Sequence, residues 1–210
     1  MAQDLAGTPP ALQSTGQQSG KRLYALVLAA GTSSRFGSVK QLQEYEHTPL
    51  VMHAVRLAES LCGPRSVLVA GYEWQAVVDA CRPLRGFFIN NARYREGMST
   101  SIACGVKAVA DAADAVLLLL ADQPLVTGSH LAQLLAAWDE SPAHIAATAF
   151  AATAGPPVIF PRLYFDQLCE LQGDHGARSV LTRAADCVRE VWFEPAAVDI
   201  DRPEDVDKLG

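Results

Sequence analysis

The stretch "LAAGTSSRFGSVK", residues 28–40, closes an apolar run and then packs glycines, hydroxyls, one arginine and one lysine into a short loop. Gly31 and Gly37 let the backbone approach a ligand more closely than any residue with a Cβ allows. Thr32, Ser33 and Ser34 add donors beside the backbone N–H groups. Arg35 can spread charge over several phosphate oxygens as a planar fork, and Lys40 as a compact point charge. This set of groups suits a polyphosphate. It is not a Walker A loop, which needs Gly, Lys and Ser or Thr in succession, because Gln41 follows Lys40. It is not a dinucleotide fingerprint either, since that pattern needs a third glycine.

Other stretches carry chemistry of a compatible kind. "ADQP", residues 121–124, directly follows the most apolar run in the chain. Asp122 would leave the carboxyl end of that strand and is assigned as a ligand for Mg²⁺, which takes oxygen donors. Taken alone, the same residue could instead cap the next turn. "EGMSTSIACG", residues 96–105, places Ser99, Thr100 and Ser101 where a helix should begin, with its free N–H donors and partial positive charge. An ordinary N-cap at Ser99 is the competing reading. "GDHGAR", residues 173–178, is a turn that brings Asp174, His175 and Arg178 near one another. In "VDIDRPEDV", residues 198–206, Asp199 and Asp201 alternate, so only one of them faces a shared crevice. Asp201 can cap a helix beginning at Pro203, which leaves Asp199 as the freer carboxylate.

These loops need a scaffold, and the periodicity supplies one. Residues 23–28 (LYALVL) read as a strand buried on both faces. Strands are expected also at 66–70, 87–90 and 115–120, alternating with helices at 49–62, 74–81, 99–110 and 129–138. That alternation predicts a parallel sheet covered on both sides. The order then changes: extended runs at 145–150 and 157–160 predict a hairpin. Helices at 163–171 and 177–185, a strand at 189–193 and a short helix from Pro203 complete the chain. Residues 1–20, rich in Gln, Ser, Thr, Pro and Gly, read as a disordered tail, with one domain from 21 to 210.

With 210 residues, 50% hydrophobic and 19% charged, the chain can bury a large core. A net charge of −6 argues against a general nucleic-acid binder. Five scattered cysteines without a C-x-x-C pair read as reduced thiols of a cytoplasmic protein. No apolar run approaches the ~20 residues of a membrane span.

Six motifs in order, "LAAGTSSRFGSVKQL", "NNARYREGMSTSI", "LLLLADQPLV", "GPPVIF", "GDHGARSVL" and "DIDRPED", resemble the MobA-like nucleotidyltransferases. Within that family they are most like the molybdenum cofactor cytidylyltransferases. The resemblance implies a single Rossmann-like, three-layer α/β domain with a mostly parallel, mixed sheet of the nucleotide-diphospho-sugar transferase type. It implies that Leu28, Ala29 and Ala30 line the base and ribose, with Gly31, Thr32 and Ser33 against the triphosphate. Arg35 and Lys40 would neutralise the triphosphate, and Asn91 and Ser101 would help fix the nucleotide. Asp122, with Asp199 as second ligand, would hold Mg²⁺, and Gly173, Asp174 and Arg178 would face the acceptor. Arg202 stands where the family commonly has Thr, and Pro156 where a polar residue is frequent.

The implied reaction transfers CMP from CTP to the phosphate of molybdopterin and releases pyrophosphate, in the maturation of molybdenum hydroxylases. Transient contact with such a hydroxylase or its chaperone is expected, without membrane or nucleic acid. Cytosine follows from LAAG, where guanylyl members carry LAGG: the Ala30 methyl fills space that glycine would leave open. Two alternatives stand beside this. One is transfer to another phosphate acceptor, such as a sugar phosphate or methylerythritol phosphate. The other is a non-catalytic carrier of finished cofactor, which would have no need of a leaving-group clamp at Lys40 and Asp122.

Overall fold

A computed structural model of the chain describes residues 20–32, 36–82, 84–173, 176–200 and 205. The expected tail, residues 1–20, and the helix expected from Pro203 lie almost wholly outside this set.

The first strand, β1 (Leu23–Ala29), alternates between two cores. Leu23, Ala25, Val27 and Ala29 point into one, Tyr24, Leu26 and Leu28 into the other, as the two-residue period of a strand requires. A small antiparallel pair, β2 (Glu44–Tyr45) and β3 (Thr48–Pro49), precedes α1 (Leu50–Cys62). Its two-residue strands are too short to leave a periodic signal in the sequence. There follow β4 (Ser66–Ala70), α2 (Trp74–Ala80), β5 (Phe87–Asn90), α3 (Met98–Val109), β6 (Ala115–Leu120) and α4 (Gly128–Trp138). The hairpin is β7 (Ile145–Phe150) and β8 (Thr153–Pro161). The single helix expected at 163–171 is instead a 3₁₀ turn, Arg162–Tyr164, running into α5 (Phe165–Cys169). There follow α6 (Arg178–Arg183), β9 (Val188–Trp192) and a 3₁₀ turn, Glu194–Ala197.

The main sheet has the order β5-β4-β1-β6-β8-β7-β9. β5, β4, β1 and β6 are mutually parallel, β8 is antiparallel to both β6 and β7, and β9 returns parallel to β7. Residues of α1, α2 and α4 pack on one face, and residues of α3, α5 and α6 on the other. This is the single three-layer α/β domain with a mostly parallel, mixed sheet. The chain leaves β1 toward β4 and later returns to β6 on the opposite side. The strand order therefore reverses at β1, and a crevice opens beyond the carboxyl ends of β1 and β6, where ligands bind in such sheets.

One polar tie crosses the second half of the sheet. Thr148 of β7, wholly buried, donates its hydroxyl to the Pro157 carbonyl of β8 at 2.6 Å. The same oxygen lies 2.8 Å from Nε2 of His130 in α4, so the network assigns the proton on that side of the ring to Nε2. His130 Nδ1 is buried without a partner, and the ring stacks on Phe193 at 4.3 Å between centroids. Burial holds the His130 imidazole below its ordinary pKa.

Candidate active site

Leu28 and Leu120 are paired at the ends of β1 and β6, and the Ala121 N–H donates to the Leu28 carbonyl at 3.2 Å. Ala30–Thr32 and Ala121–Asp122 therefore leave the sheet side by side. Lys40 opens a 3₁₀ turn, Lys40–Leu42, and its Nζ donates to Asp122 Oδ2 at 2.7 Å. The two side chains are only 14% and 26% exposed, so this pair is shielded from solvent more than a surface ion pair. The other oxygen, Asp122 Oδ1, is buried and has no hydrogen-bond partner among the described residues. Gln41, 4% exposed, donates from Nε2 to the Gly31 carbonyl at 3.1 Å. Consecutive side chains of one turn thus brace both loops.

Above these strand ends lies a cleft of about 360 Å³. Leu28, Ala30, Gly31, Thr32, Lys40 and Asp122 form one side, and Tyr94, Arg95, Gly97, Met98 and Ser101 the other. Ala29 is buried at the strand end and faces the core below. The opposite side is built on the start of α3. Its N-cap is Gly97, at φ 109°, not Ser99, whose side chain is wholly buried. The Ser99 N–H donates instead to the Gly173 carbonyl at 3.3 Å, so Gly173 braces the helix start. Asn91 Nδ2 donates to Thr100 Oγ1 and Ser101 Oγ, both at 2.9 Å. Asn91 lines a separate recess with Thr100 and Lys107, and holds Ser101 from behind.

A second cleft of about 500 Å³ shares Leu28, Met98 and Leu120 with the first. Phe150, Gly155, Pro156, Ala177, Arg178 and Asp199 line it. The Ile200 N–H donates to the Asp122 carbonyl at 3.0 Å, and Gln123 Nε2 to the Ala196 carbonyl at 2.8 Å. Ile200 is wholly buried against Phe36 and Leu50. These contacts tie the segment carrying Asp199 to the loop carrying Asp122.

Among the described residues no group of three or more His, Cys, Asp or Glu side chains could hold a metal ion. The donors at Asp122 and Asp199 are oxygens, and the unpartnered Asp122 Oδ1 is the kind of atom a hard cation satisfies. The residues therefore fit Mg²⁺ as it is usually held, by one or two carboxylates with substrate phosphates and water completing the shell. Ser33, Arg35 and Asp174 lie outside the described residues. Gln41, Tyr94, Arg95, Met98 and Gln123 line the clefts without having been singled out from sequence. For Gln41, Gln123 and Met98, adjacency to Lys40, Asp122 and Ser99 is the one signal in the sequence; Tyr94 and Arg95 are brought in by tertiary contact.

The MobA-like NTP transferase domain matches residues 25–188. The purine catabolism protein PucB of Bacillus subtilis (strain 168) is 36% identical over 118 residues, covering 54% of this chain and 56% of that protein. The chain thus spans little more than half the length of this relative. A crystal structure of the homologue of Mycobacterium tuberculosis Rv0371c from Mycobacterium sp. strain JC1 is 27% identical. It superposes with a TM-score of 0.76 over 90% of this chain and 96% of that one. A nucleotidyl transferase from Methanothermobacter thermautotrophicus shares the fold, with a TM-score of 0.77 at 20% identity, over 90% of this chain and 96% of that one.

Proposed function

The chain belongs to the MobA-like NTP transferase domain family, and on that premise we propose that it transfers a nucleotidyl group to a phosphate-bearing acceptor. The observation that carries the reading is the Lys40–Asp122 pair at the mouth of a cleft formed where β1 and β6 end. Lys40 supplies fixed positive charge beside a carboxylate that keeps one oxygen unpartnered. That is the local chemistry required where a triphosphate and a cation must meet.

In the proposed reaction an oxygen of the acceptor phosphate attacks the α-phosphorus of the nucleotide. The bond from that phosphorus to the bridging oxygen breaks, and pyrophosphate leaves with the bonding electrons. The nucleophile is already anionic, so no strong general base is required, and positioning with charge neutralisation dominates. Lys40 and Arg35 meet the developing charge on pyrophosphate. The residues proposed to hold Mg²⁺ are Asp122 and Asp199, and the ion would neutralise phosphate charge there as a Lewis acid. Gln41 keeps the Gly31 backbone in place, and Asn91 keeps Ser101 aimed into the cleft.

The nucleotide we propose is CTP and the acceptor molybdopterin, so that the product serves maturation of a molybdenum hydroxylase. Buried Ala30 in the cleft wall supports the first, since its methyl narrows the space for a base. Support for the second is Arg178, from the motif that the resemblance turns toward the acceptor, in the lining of the second cleft. Incubation with molybdopterin and each nucleoside triphosphate, followed by mass analysis, tests both. The expected product is the cytidine dinucleotide with one pyrophosphate per turnover. A product formed only from a sugar phosphate or methylerythritol phosphate would replace the acceptor. Binding of cofactor without pyrophosphate release would replace the enzyme by a carrier.

A further inference from the structure

Gly71, the residue that follows β4, has no assigned role, yet two walls of the first cleft meet over it. A Cβ placed on Gly71 would lie 2.5 Å from Tyr94 Cβ, 2.8 Å from Tyr94 Cγ and 3.0 Å from Ala30 Cβ. The first two atoms are the root of the tyrosine side chain. A χ1 change can swing Cγ aside but cannot move Cβ, which the backbone fixes, so the 3₁₀ turn Tyr94–Glu96 would itself have to lift. That turn is pinned from below. The Asn91 N–H donates to the Ala70 carbonyl at 2.8 Å, and the Tyr94 N–H to the Asn91 carbonyl at 3.2 Å. The missing side chain at Gly71 is thus what lets Tyr94 settle beside Ala30, where both line the cleft. The Arg95 guanidinium lies over the Tyr94 ring at 5.5 Å, and the Tyr72 ring is 6.4 Å away, so the aromatic wall is backed on more than one side.

We propose that Tyr94, seated on Gly71, is a specificity-determining wall of the nucleobase slot, which with Ala30 admits a pyrimidine nucleoside triphosphate and rejects a purine one. The proposal rests on the nucleotidyl-transfer reading and deepens it. A volume of about 360 Å³ is at the small end of ligand pockets, which run from ~300 to ~1,000 Å³, and this cleft must also seat ribose and phosphates. A single methyl at Ala30 discriminates only ~10–200-fold by itself. A full aromatic ring on the adjoining wall supplies the rest, because its Cβ is seated against Gly71 and the ring is backed by the Arg95 guanidinium and the Tyr72 ring. Gly71 touches no nucleotide in this scheme and acts through Tyr94.

The test measures equilibrium binding of CTP, UTP, ATP and GTP with Mg²⁺ and no acceptor, on the full chain. Wild type, Tyr94→Ala, Tyr94→Phe, Tyr94→Gly, Gly71→Ala and the Gly71→Ala/Tyr94→Gly pair are compared, each with a thermal melt. Tyr94→Ala is expected to lower the pyrimidine-over-purine ratio by ~10-fold or more, chiefly by tightening purine binding. Tyr94→Phe restores the ratio, because the ring and not its hydroxyl forms the wall. Gly71→Ala weakens binding of all four nucleotides, and Tyr94→Gly in the same chain, which removes the Cβ and Cγ that the new methyl would meet, relieves that loss, so the two effects do not add. An unchanged ratio in Tyr94→Ala overturns the proposal even if Gly71→Ala fails to fold, and so does a wild type without pyrimidine preference. A wild type that binds no nucleoside triphosphate overturns the transferase reading as well, which separates the two failures.

Discussion

At the scale of single residues, Asp122 has two oxygens in different circumstances: one holds Lys40 and the other is buried without a partner. Asp122→Asn keeps an oxygen for Lys40 but removes the charge that a metal and a triphosphate site require. Pyrophosphate release should fall ~10²-fold or more. Stability should fall only modestly, by about 1–3 kcal/mol, since the pair is shielded but Lys40 keeps one hydrogen bond. Near-normal release under saturating CTP and Mg²⁺, with an unchanged melt, would remove Asp122 from the site. Lys40 and Asp122 were legible in the sequence because charge in a glycine loop and charge after an apolar strand are local signals. Tyr94 and Gln41 were not. A tyrosine in "ARYREG" and a glutamine after a lysine have no distinctive spacing, and only the meeting of β4, the 94–96 turn and the β1 loop places them in one cleft. Ser99 shows the converse: its type and position offered a cap as the competing reading, but the Gly173 carbonyl takes its N–H and packing buries its hydroxyl.

At the scale of elements, the tie between α4, β7 and β8 runs through one hydroxyl. Thr148→Val keeps the shape of the side chain while stripping the donor from the Pro157 carbonyl and the acceptor from His130. Leaving two buried groups unsatisfied should cost about 1–3 kcal/mol, read as a lower urea midpoint with an unchanged slope. An unchanged midpoint would mean that the two groups find other partners. Strands β4, β5, β6 and β7 were legible to the residue, because apolar runs bounded by glycine, proline or polar turns fix both ends. Helices at 163–171 and 177–185 were legible only as helical regions. Their short, partly 3₁₀ geometry is imposed by packing on β8 and α3, and no residue pattern marks it. That β9 runs parallel to β7, on the far edge of the sheet, depends on how the intervening helices cross over.

For the molecule as a whole, the neutral buried His130 couples folding to acidity. The unfolded imidazole takes a proton near its ordinary pKa of about 6.5, whereas the folded one takes it only at lower pH. Between those values the unfolded state binds more protons, so stability present above about 6.5 is lost as pH falls, at up to ~1.4 kcal/mol per unit for this one group. Urea midpoints at pH 7.5, 6.5 and 5.5 should drop more steeply for the wild type than for His130→Gln. Parallel curves would show that other groups carry the dependence.

The strand order also bears on how the protein is made. β1 is the first of the described strands to be synthesised, but it lies in the interior of the sheet, between partners that begin at Ser66 and Ala115. Until residues 115–120 emerge from the ribosome, one side of an almost wholly apolar strand has no native hydrogen-bonding partner. The nascent chain therefore carries a sticky, half-paired edge over the stretch of synthesis from Ala29 to Leu120, which makes it a client for chaperones well before its cleft exists.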